Sequence, residues 1–227
     1  MKVTFYGHST FLVDTGSHKI IFDPFITPNP AAAGIDASKI KVDFILLSHA
    51  HFDHVIDVEL LLEHNPEATI IANAEIAGYY QAKGFKNAHG MNSGGKFAFP
   101  FGEVRMTQAV HSSTFPDGSS GGHPNGFIVT TSEKKFYYSG DTSLFGDMKL
   151  LGELYAPEIA FLSIGDNYTM GPAEGAIAAS YLGVKKAVGM HFDTMPSIAI
   201  DHTQATALFD GKGVALHLPT MGETFDI

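Results

Sequence analysis

The segment His49-Ala50-His51-Phe52-Asp53-His54 constrains this chain more than any other part of its sequence. It places four potential metal ligands within six residues, directly after an apolar stretch. In the extended continuation of a strand, side chains two positions apart, such as those of His49 and His51, point to the same side. Asp53 and His54 follow at a predicted helix start, where the chain turns. Their side chains therefore face a second metal position, beside that of His49 and His51. The spacing therefore predicts a strand, a short loop and a helix that hold ligands for two adjacent cations.

Each cation needs further protein ligands, because a catalytic tetrahedral site uses three side chains and keeps one position for water. The best candidates are polar residues that directly follow other predicted strands, namely His111, Asp141 and His191. The sequence has no Cys, which excludes disulfides, a cysteine nucleophile and thiolate ligands. The donors must therefore be imidazole nitrogens and carboxylate oxygens.

Composition excludes several classes of partner. The chain has 14 Lys and Arg against 24 Asp and Glu, a formal net charge of −10, and no run of basic residues longer than two. It therefore lacks the positive surface that nucleic acid binding requires. Its longest apolar runs are four residues, far short of the roughly 18 that span a bilayer, and no secretion signal follows Met1. We expect a cytoplasmic protein that acts on a small molecule, without nucleic acid or membrane partners; formation of a homo-oligomer stays open.

Hydrophobic periodicity divides the chain into strands and helices of one domain over residues 1–227. The predicted strands are 2–6, 9–15, 19–22, 43–48, 69–72, 96–99, 103–110, 126–131, 135–139, 158–164 and 186–190. Predicted helices follow the strand at 43–48 and cover 75–83, 145–155 and 172–182, the last with Pro172 at its first position. Because no linker or low-complexity tract separates them, the pattern predicts two β-rich layers covered by helices.

The order of the candidate ligands resembles that of the metallo-β-lactamase superfamily, and in particular an uncharacterised branch of metal-dependent hydrolases. The resemblance covers nearly the whole chain. Besides the ligands, it rests on Gly7-His8-Ser9, Asp23-Pro24-Phe25, His111-Ser112-Ser113, Gly140-Asp141-Thr142, the segment 165–170 and Met190-His191-Phe192-Asp193-Thr194. It implies an α/β fold, a four-layer αβ/βα sandwich of two mixed β-sheets flanked by helices, with a two-metal site at one edge between the sheets.

The resemblance also implies which residues bind each metal. One ion would be held by His49, His51 and His111, and the other by Asp53, His54 and His191. Asp141 would bridge both. Zinc is the expected divalent ion, and manganese, iron or nickel are alternatives, because nitrogen and oxygen donors discriminate poorly between these metals.

A pair of divalent cations about 3.5–4 Å apart shares a hydroxide whose pKa falls towards about 7, and polarises a carbonyl or phosphoryl oxygen. We therefore expect a metal-dependent hydrolase of an ester, lactone, thioester or phosphoester bond in a small metabolite. Asp53, which would orient the hydroxide, and Asp141 are the expected catalytic residues. Antibiotic hydrolysis is disfavoured, because the chain lacks the cysteine that some β-lactamases use as a metal ligand. RNA processing is disfavoured, because a chain of 227 residues leaves no room for the large inserted cap of the nucleolytic branches.

Two other functions use the same residues. One is a non-hydrolytic iron redox protein of the same fold, although such proteins usually carry flavin domains, which this chain lacks. The other is a metal-stabilised binding or regulatory module without turnover. Metal content and colour identify the iron protein, and substitution of Asp53 or His51 distinguishes catalysis from binding.

Several polar residues have two interpretations each. Asp23 is either a turn carboxylate or an acceptor that orients a ligand imidazole. His8 is either a pocket residue or a structural histidine, and the resemblance favours the pocket. Asp166, Tyr168 and Met170 either line the substrate pocket or pack in the core. The remaining histidines, at positions 18, 64, 89, 123, 202 and 217, are expected on the surface or in the core, apart from the metals.

Overall fold

The first half of the chain forms most of one mixed sheet. In the computed structural model, which describes residues 1–227, its strands are β1 (Lys2–Phe5), β2 (Phe11–Asp14), β3 (Lys19–Phe22), β4 (Phe44–Leu46), β5 (Thr69–Asn73) and β6 (Ala88–Met91). β1 to β3 form the predicted antiparallel meander, and β3 to β6 are parallel. The helices of this half are α1 (Phe52–Val55), α2 (Val58–His64) and α3 (Ala74–Ala82). Their apolar side chains cover the outer face of the sheet.

The second half forms the other sheet. Its strands are β7 (Lys96–Phe99), β8 (Gly102–Gln108), β9 (Asn125–Thr130), β10 (Lys135–Tyr138), β11 (Ile159–Ser163), β12 (Lys186–Met190) and β13 (Ala215–His217). β7 to β10 are antiparallel and β10 to β13 parallel. α4 (Met148–Tyr155), α5 (Pro172–Leu182) and α6 (His202–Asp210) belong to this half, and β14 (Thr224–Asp226) returns to pair with β1. No helix has both the length and the apolar character needed to cross a membrane.

Aromatic side chains join the two sheets face to face. Phe11 and Phe22 of the first sheet and Phe136 and Phe161 of the second are fully buried. The ring centroids of Phe11 and Phe161 are 4.9 Å apart, and those of Phe22 and Phe136 are 5.9 Å apart. Separate apolar clusters lie between each sheet and its helices. This order of helices, sheet, sheet and helices confirms the predicted four-layer αβ/βα sandwich.

The structure corrects the predicted elements in two respects. The helix expected after β4 is split into α1 and α2, because the Asp57 carboxylate accepts hydrogen bonds from the backbone amides of Ile26 and Thr27 at 2.6 and 2.9 Å. The elements β6, β13, β14 and α6 were not predicted. β6 contains His89 and Gly90 instead of β-branched residues, and β13 and β14 are only three residues long, too short for a periodic signal.

The connections place the ends of several strands at one edge of the sandwich. β1, β3 and β4 run in the same direction in the first sheet, as β8, β10 and β12 do in the second. The segments that follow these six strands carry every ligand candidate, together with His8 and Asp23. The fold therefore concentrates the polar residues of distant segments at this edge.

We expect the Phe161→Ala variant to lose about 3–5 kcal/mol of unfolding free energy, because truncating a buried aromatic ring leaves a cavity between the sheets. Chemical denaturation followed by circular dichroism measures this loss. Leu154→Ala is the matched control, since the Leu154 side chain is 68% exposed on α4; its effect should stay within about 0.5 kcal/mol. Equal stability of the two variants would contradict the assigned core.

Candidate metal centre

Three imidazoles form the first group of the site. His49 and His51 follow β4 in extended backbone, and His111 follows β8. The Nε2 atom of His49 lies 3.0 Å from the Nδ1 atom of His51, and one ligand atom from each of the three residues falls within 4.8 Å of the others. His49 is completely buried, and Ser48 Oγ contacts its Nδ1 at 2.9 Å. These nitrogens converge from both sheets on one point.

The second group lies beside the first. α1 begins at Phe52 and turns Asp53 and His54 away from His51, so that they meet His191 at the end of β12. The Oδ2 atom of Asp53 is 3.7 Å from His191 Nε2 and 3.9 Å from His54 Nε2. With His8, these residues form a group of four whose ligand atoms lie within 4.8 Å of one another.

Asp141 lies between the two groups. Its Oδ2 atom is 2.9 Å from His191 Nε2 and 3.3 Å from His54 Nε2. The same oxygen is 3.8 Å from His111 Nε2 and 3.9 Å from His49 Nε2. Gly140 makes this approach possible, because its φ is +59° and a Cβ there would meet the carbonyl oxygen of Asn125 at 2.5 Å. One carboxylate therefore faces imidazoles of both groups.

Asp23 holds the His54 ring from behind. Its buried carboxylate accepts hydrogen bonds from Ser48 N at 2.8 Å, Ser48 Oγ at 2.6 Å and Tyr138 OH at 2.8 Å, and its Oδ2 lies 2.9 Å from His54 Nδ1. Asp23 also falls within 4.8 Å of ligand atoms of His49 and His54. Protein donors therefore already occupy both of its carboxylate oxygens.

His8 holds Asp53 in a similar way. The His8 ring is buried, with Nε2 at 3.0 Å from Asp53 Oδ2 and Nδ1 at 2.9 Å from Thr194 Oγ1. Its carbonyl oxygen accepts a hydrogen bond from His191 N at 2.7 Å. Both His8 and His191 have left-handed backbone, with φ of 56° and 58°. Such strain is costly outside glycine and concentrates at functional sites.

The donor set fits a divalent metal. Among the buried polar atoms without a hydrogen-bond partner are His54 Nε2 and Asp141 Oδ1, which belong to the two groups. Leaving a buried polar atom unpaired costs about 1–3 kcal/mol. Several imidazoles and two carboxylates within this space match the nitrogen and oxygen ligands of zinc and similar ions. A bound cation would supply the missing partner for these atoms.

Burial and charge shift the pKa values in opposite directions. Burial lowers the pKa of His49 well below its usual range, and also lowers those of His51 and His111. Burial acts the same way on His191, but the negative charge of Asp141 outweighs it and raises the pKa of His191 to about 9. Burial would raise the pKa of Asp141, yet the charges of His191 and His54 lower it well below its usual range. The cluster therefore keeps its carboxylates ionised.

The other predicted residues lie outside this cluster. Asp166 and Tyr168 are exposed, and no hydrogen bond or ring contact joins them to the ligands. Met170 is buried under the helices of the second sheet. Its amide donates to the carbonyl oxygen of Thr142, which places the loop beside Asp141. None of the six remaining histidines, at positions 18, 64, 89, 123, 202 and 217, belongs to a ligand group.

Four residues of the site were given no individual role in the sequence analysis: Ser48, Ser112, Tyr138 and Thr194. Ser112 and Thr194 stood there only as members of the motifs that carry the resemblance. Ser48 directly precedes the His49 to His54 motif, and only this position in the sequence could have indicated that Ser48 belongs to the site. Ser112 Oγ lies 3.3 Å from His51 Nε2. Tyr138 reaches Asp23 across 115 positions of sequence, a contact that no local pattern indicates.

Known proteins are similar to this chain in sequence and in fold. The family model described as a β-lactamase superfamily domain matches residues 10–192. A UPF0173 metal-dependent hydrolase of Flavobacterium johnsoniae is 46% identical over 227 residues, which is all of both chains. Another from Exiguobacterium is 50% identical over 204 residues, covering 88% of this chain and 90% of that protein. The solved structure of a metallo hydrolase from Ignicoccus hospitalis superposes with a TM-score of 0.89 at 33% identity, covering 100% of this chain and 98% of its own.

We expect metal affinity to rise with pH between about 6.5 and about 9 and then to level off. The reason is that Asp141 keeps a proton on His191 up to its pKa of about 9 in chelator-treated protein, and a metal ligand must be a neutral imidazole. Titration calorimetry at about pH 7.5, in two buffers of different ionisation enthalpy, measures the protons released on binding. Fewer protons should be released at about pH 10, where His191 is already neutral before the metal binds. An affinity independent of pH would contradict the assigned imidazole ligands.

Proposed function

Because the chain belongs to the β-lactamase superfamily and, within it, to the UPF0173 metal-dependent hydrolases, we propose that it uses two divalent metal ions to hydrolyse an ester, lactone, thioester or phosphoester bond of a small metabolite. The position of Asp141 carries this proposal. Its Oδ2 atom lies within 3.9 Å of an imidazole nitrogen on each of His49, His54, His111 and His191. A carboxylate shared by two imidazole groups supports two neighbouring ions.

The two groups divide the ligands between the ions. His49, His51 and His111 would hold one, and Asp53, His54 and His191 the other, with Asp141 shared. Bound divalent metals in such a site lower the pKa of water and polarise the oxygen of a carbonyl or phosphoryl group. Zinc is the proposed ion, because imidazoles and carboxylates are its usual ligands in catalytic sites. Manganese, iron and nickel accept the same donors.

Asp53 is the ligand best placed to meet water and substrate. Its side chain is 27% exposed, whereas those of Asp141 and His191 are only 2% and 3% exposed. Burial raises the pKa of Asp53, but the charge of His54, the nearby His191 imidazole and the hydrogen bond from His8 outweigh this and lower it. A carboxylate held ionised in this way accepts a hydrogen bond from water and orients it towards the substrate.

His8 and Asp23 are proposed as positioning residues. His8 lies between Thr194 and Asp53, at 2.9 and 3.0 Å, and so fixes the direction of the Asp53 carboxylate. Asp23 fixes the His54 ring so that its Nε2 faces Asp141. Partners that orient ligands in this way usually change metal affinity when they are removed.

We expect purified protein to hold about two equivalents of divalent metal per chain and to lose hydrolysis when a chelator removes them. Elemental analysis combined with a panel of esters, lactones, thioesters and phosphodiesters measures both. His51→Ala should retain the fold but lose one equivalent and most of the activity. Metal binding without hydrolysis of any of these bonds would favour a binding or regulatory module, and coloured iron protein with redox activity would favour the redox alternative.

We expect Asp23→Asn to weaken metal affinity by about 10–100-fold, because the His54 ring loses its anionic partner. Competition with a chromophoric chelator measures the change. Asp210→Asn is the matched control, since Asp210 lies exposed at the end of α6, and its affinity should equal that of the unsubstituted protein. Circular dichroism checks that both variants fold. Unchanged affinity in folded Asp23→Asn would exclude the positioning role.

A further inference from the structure

Solvent reaches the metal centre beside Asp53, and also beside His51 and His111. The Asp53 side chain is 27% and that of His111 14% exposed, and His51 is partly exposed, whereas His8, His49 and His54 are fully buried. Phe52 lies between His51 and Asp53 in the chain and is 46% exposed. The opening beside Asp53 therefore adjoins an exposed aromatic residue.

Phe52 belongs to a fixed apolar strip. Ile56, which is 38% exposed, lies one helical turn after Phe52, and its amide donates to the Phe52 carbonyl oxygen at 3.2 Å. On the other side, the buried Phe25 ring contacts Phe52 at 5.9 Å and His8 at 5.2 Å between centroids. The Asp57 carboxylate anchors the backbone that follows Phe25 through two amide hydrogen bonds. We call Phe25, Phe52 and Ile56 the apolar strip.

The opening has no cationic side chain from the loops that build it. Seven segments carry or flank the site residues, and none contains Lys or Arg: 6–10, 23–29, 47–58, 109–126, 139–147, 164–171 and 190–201. The ion pairs made by lysines elsewhere, such as Lys83 with Glu59 and Lys134 with Glu158, involve no site residue. Sites that bind phosphate or carboxylate groups usually employ Arg or Lys for this purpose.

Resting on the proposed function, we propose that the substrate carries an uncharged apolar group next to the bond that is hydrolysed, and that this group lies on the apolar strip. An apolar group that covers the exposed face of the Phe52 ring removes apolar surface from water, which favours binding. An anionic group in the same place would find no cationic side chain and would lie beside the carboxylate of Asp53. The strip therefore selects against substrates that carry a phosphate or carboxylate group at this position, next to the bond that is hydrolysed.

Three hydroxamates test this proposal without depending on the bond that is hydrolysed. Acetohydroxamate, hexanohydroxamate and the monohydroxamate of succinic acid share a metal-chelating group and differ in their tails. Calorimetry with the zinc-loaded protein should give hexanohydroxamate an affinity about 10-fold higher than acetohydroxamate, the order expected for partial burial of several methylenes. The succinic compound should bind no more tightly than acetohydroxamate.

Substitutions of Phe52 test whether the affinity advantage of hexanohydroxamate comes from the apolar strip. Phe52→Ala should remove the advantage of hexanohydroxamate while acetohydroxamate binding stays constant, and Phe52→Lys should make the succinic compound the tightest of the three. Phe97→Ala is the matched control, because Phe97 is 48% exposed on β7, outside the site, and its binding should not change. Hydrolysis of ethyl hexanoate and monoethyl succinate, compared as kcat/KM, should follow the same order.

Two kinds of failure are distinguishable. Tighter binding of the succinic compound, or an advantage of hexanohydroxamate that persists in Phe52→Ala, would overturn this inference while the hydrolase and its metals remain. Failure of zinc-loaded protein to bind any hydroxamate and to hydrolyse any ester, lactone, thioester or phosphodiester would overturn the proposed function, and the inference with it.

Discussion

The structure depends on the contact between one buried carboxylate and the imidazoles around it. Asp141 extends from the second sheet into a group of histidines of which His49 and His54 come from the first. Buried charges are tolerated only when they are paired or bound to metal. The attraction between Asp141 and the imidazoles therefore joins the two sheets at the edge where the aromatic core ends.

This arrangement requires an unfavourable backbone conformation at three residues of the site. His8, Asp23 and His191 all have left-handed backbone, with φ of 56°, 41° and 58°. Each such residue outside glycine costs of the order of 1–3 kcal/mol, which the surrounding structure must offset. The Asp23 hydrogen bonds and the link from His191 N to the His8 carbonyl oxygen provide part of that compensation. Three of the seven non-glycine residues with left-handed backbone therefore belong to the site, and the other four, Ala156, Asp166, Asn167 and Asp193, lie outside it.

Local patterns made the elements of the fold predictable. The abundance of Val, Ile, Phe and Thr in the first three strands, the Pro172 helix start and the spacing from His49 to His54 each reflect interactions over a few residues, and the structure has these elements. The positions of His111, Asp141 and His191 after strands indicated that they would meet at one edge.

The supporting contacts depend on tertiary structure and were not predictable in the same way. Tyr138 reaches Asp23, and Thr194 reaches His8, only because the two sheets face each other in this register. The break between α1 and α2 arises because Asp57 binds the amides of a loop 30 residues earlier. Likewise, nothing in the sequence distinguishes Phe52 from other apolar helix residues. Its position beside the partly exposed Asp53 is visible only in the structure.

Anomalous diffraction at the zinc absorption edge, from crystals of the zinc-loaded protein, tests the central claim most directly. We predict two peaks: one bound by His49, His51 and His111, the other by Asp53, His54 and His191, with Asp141 between them. A single peak, or peaks away from Asp141, would contradict the account.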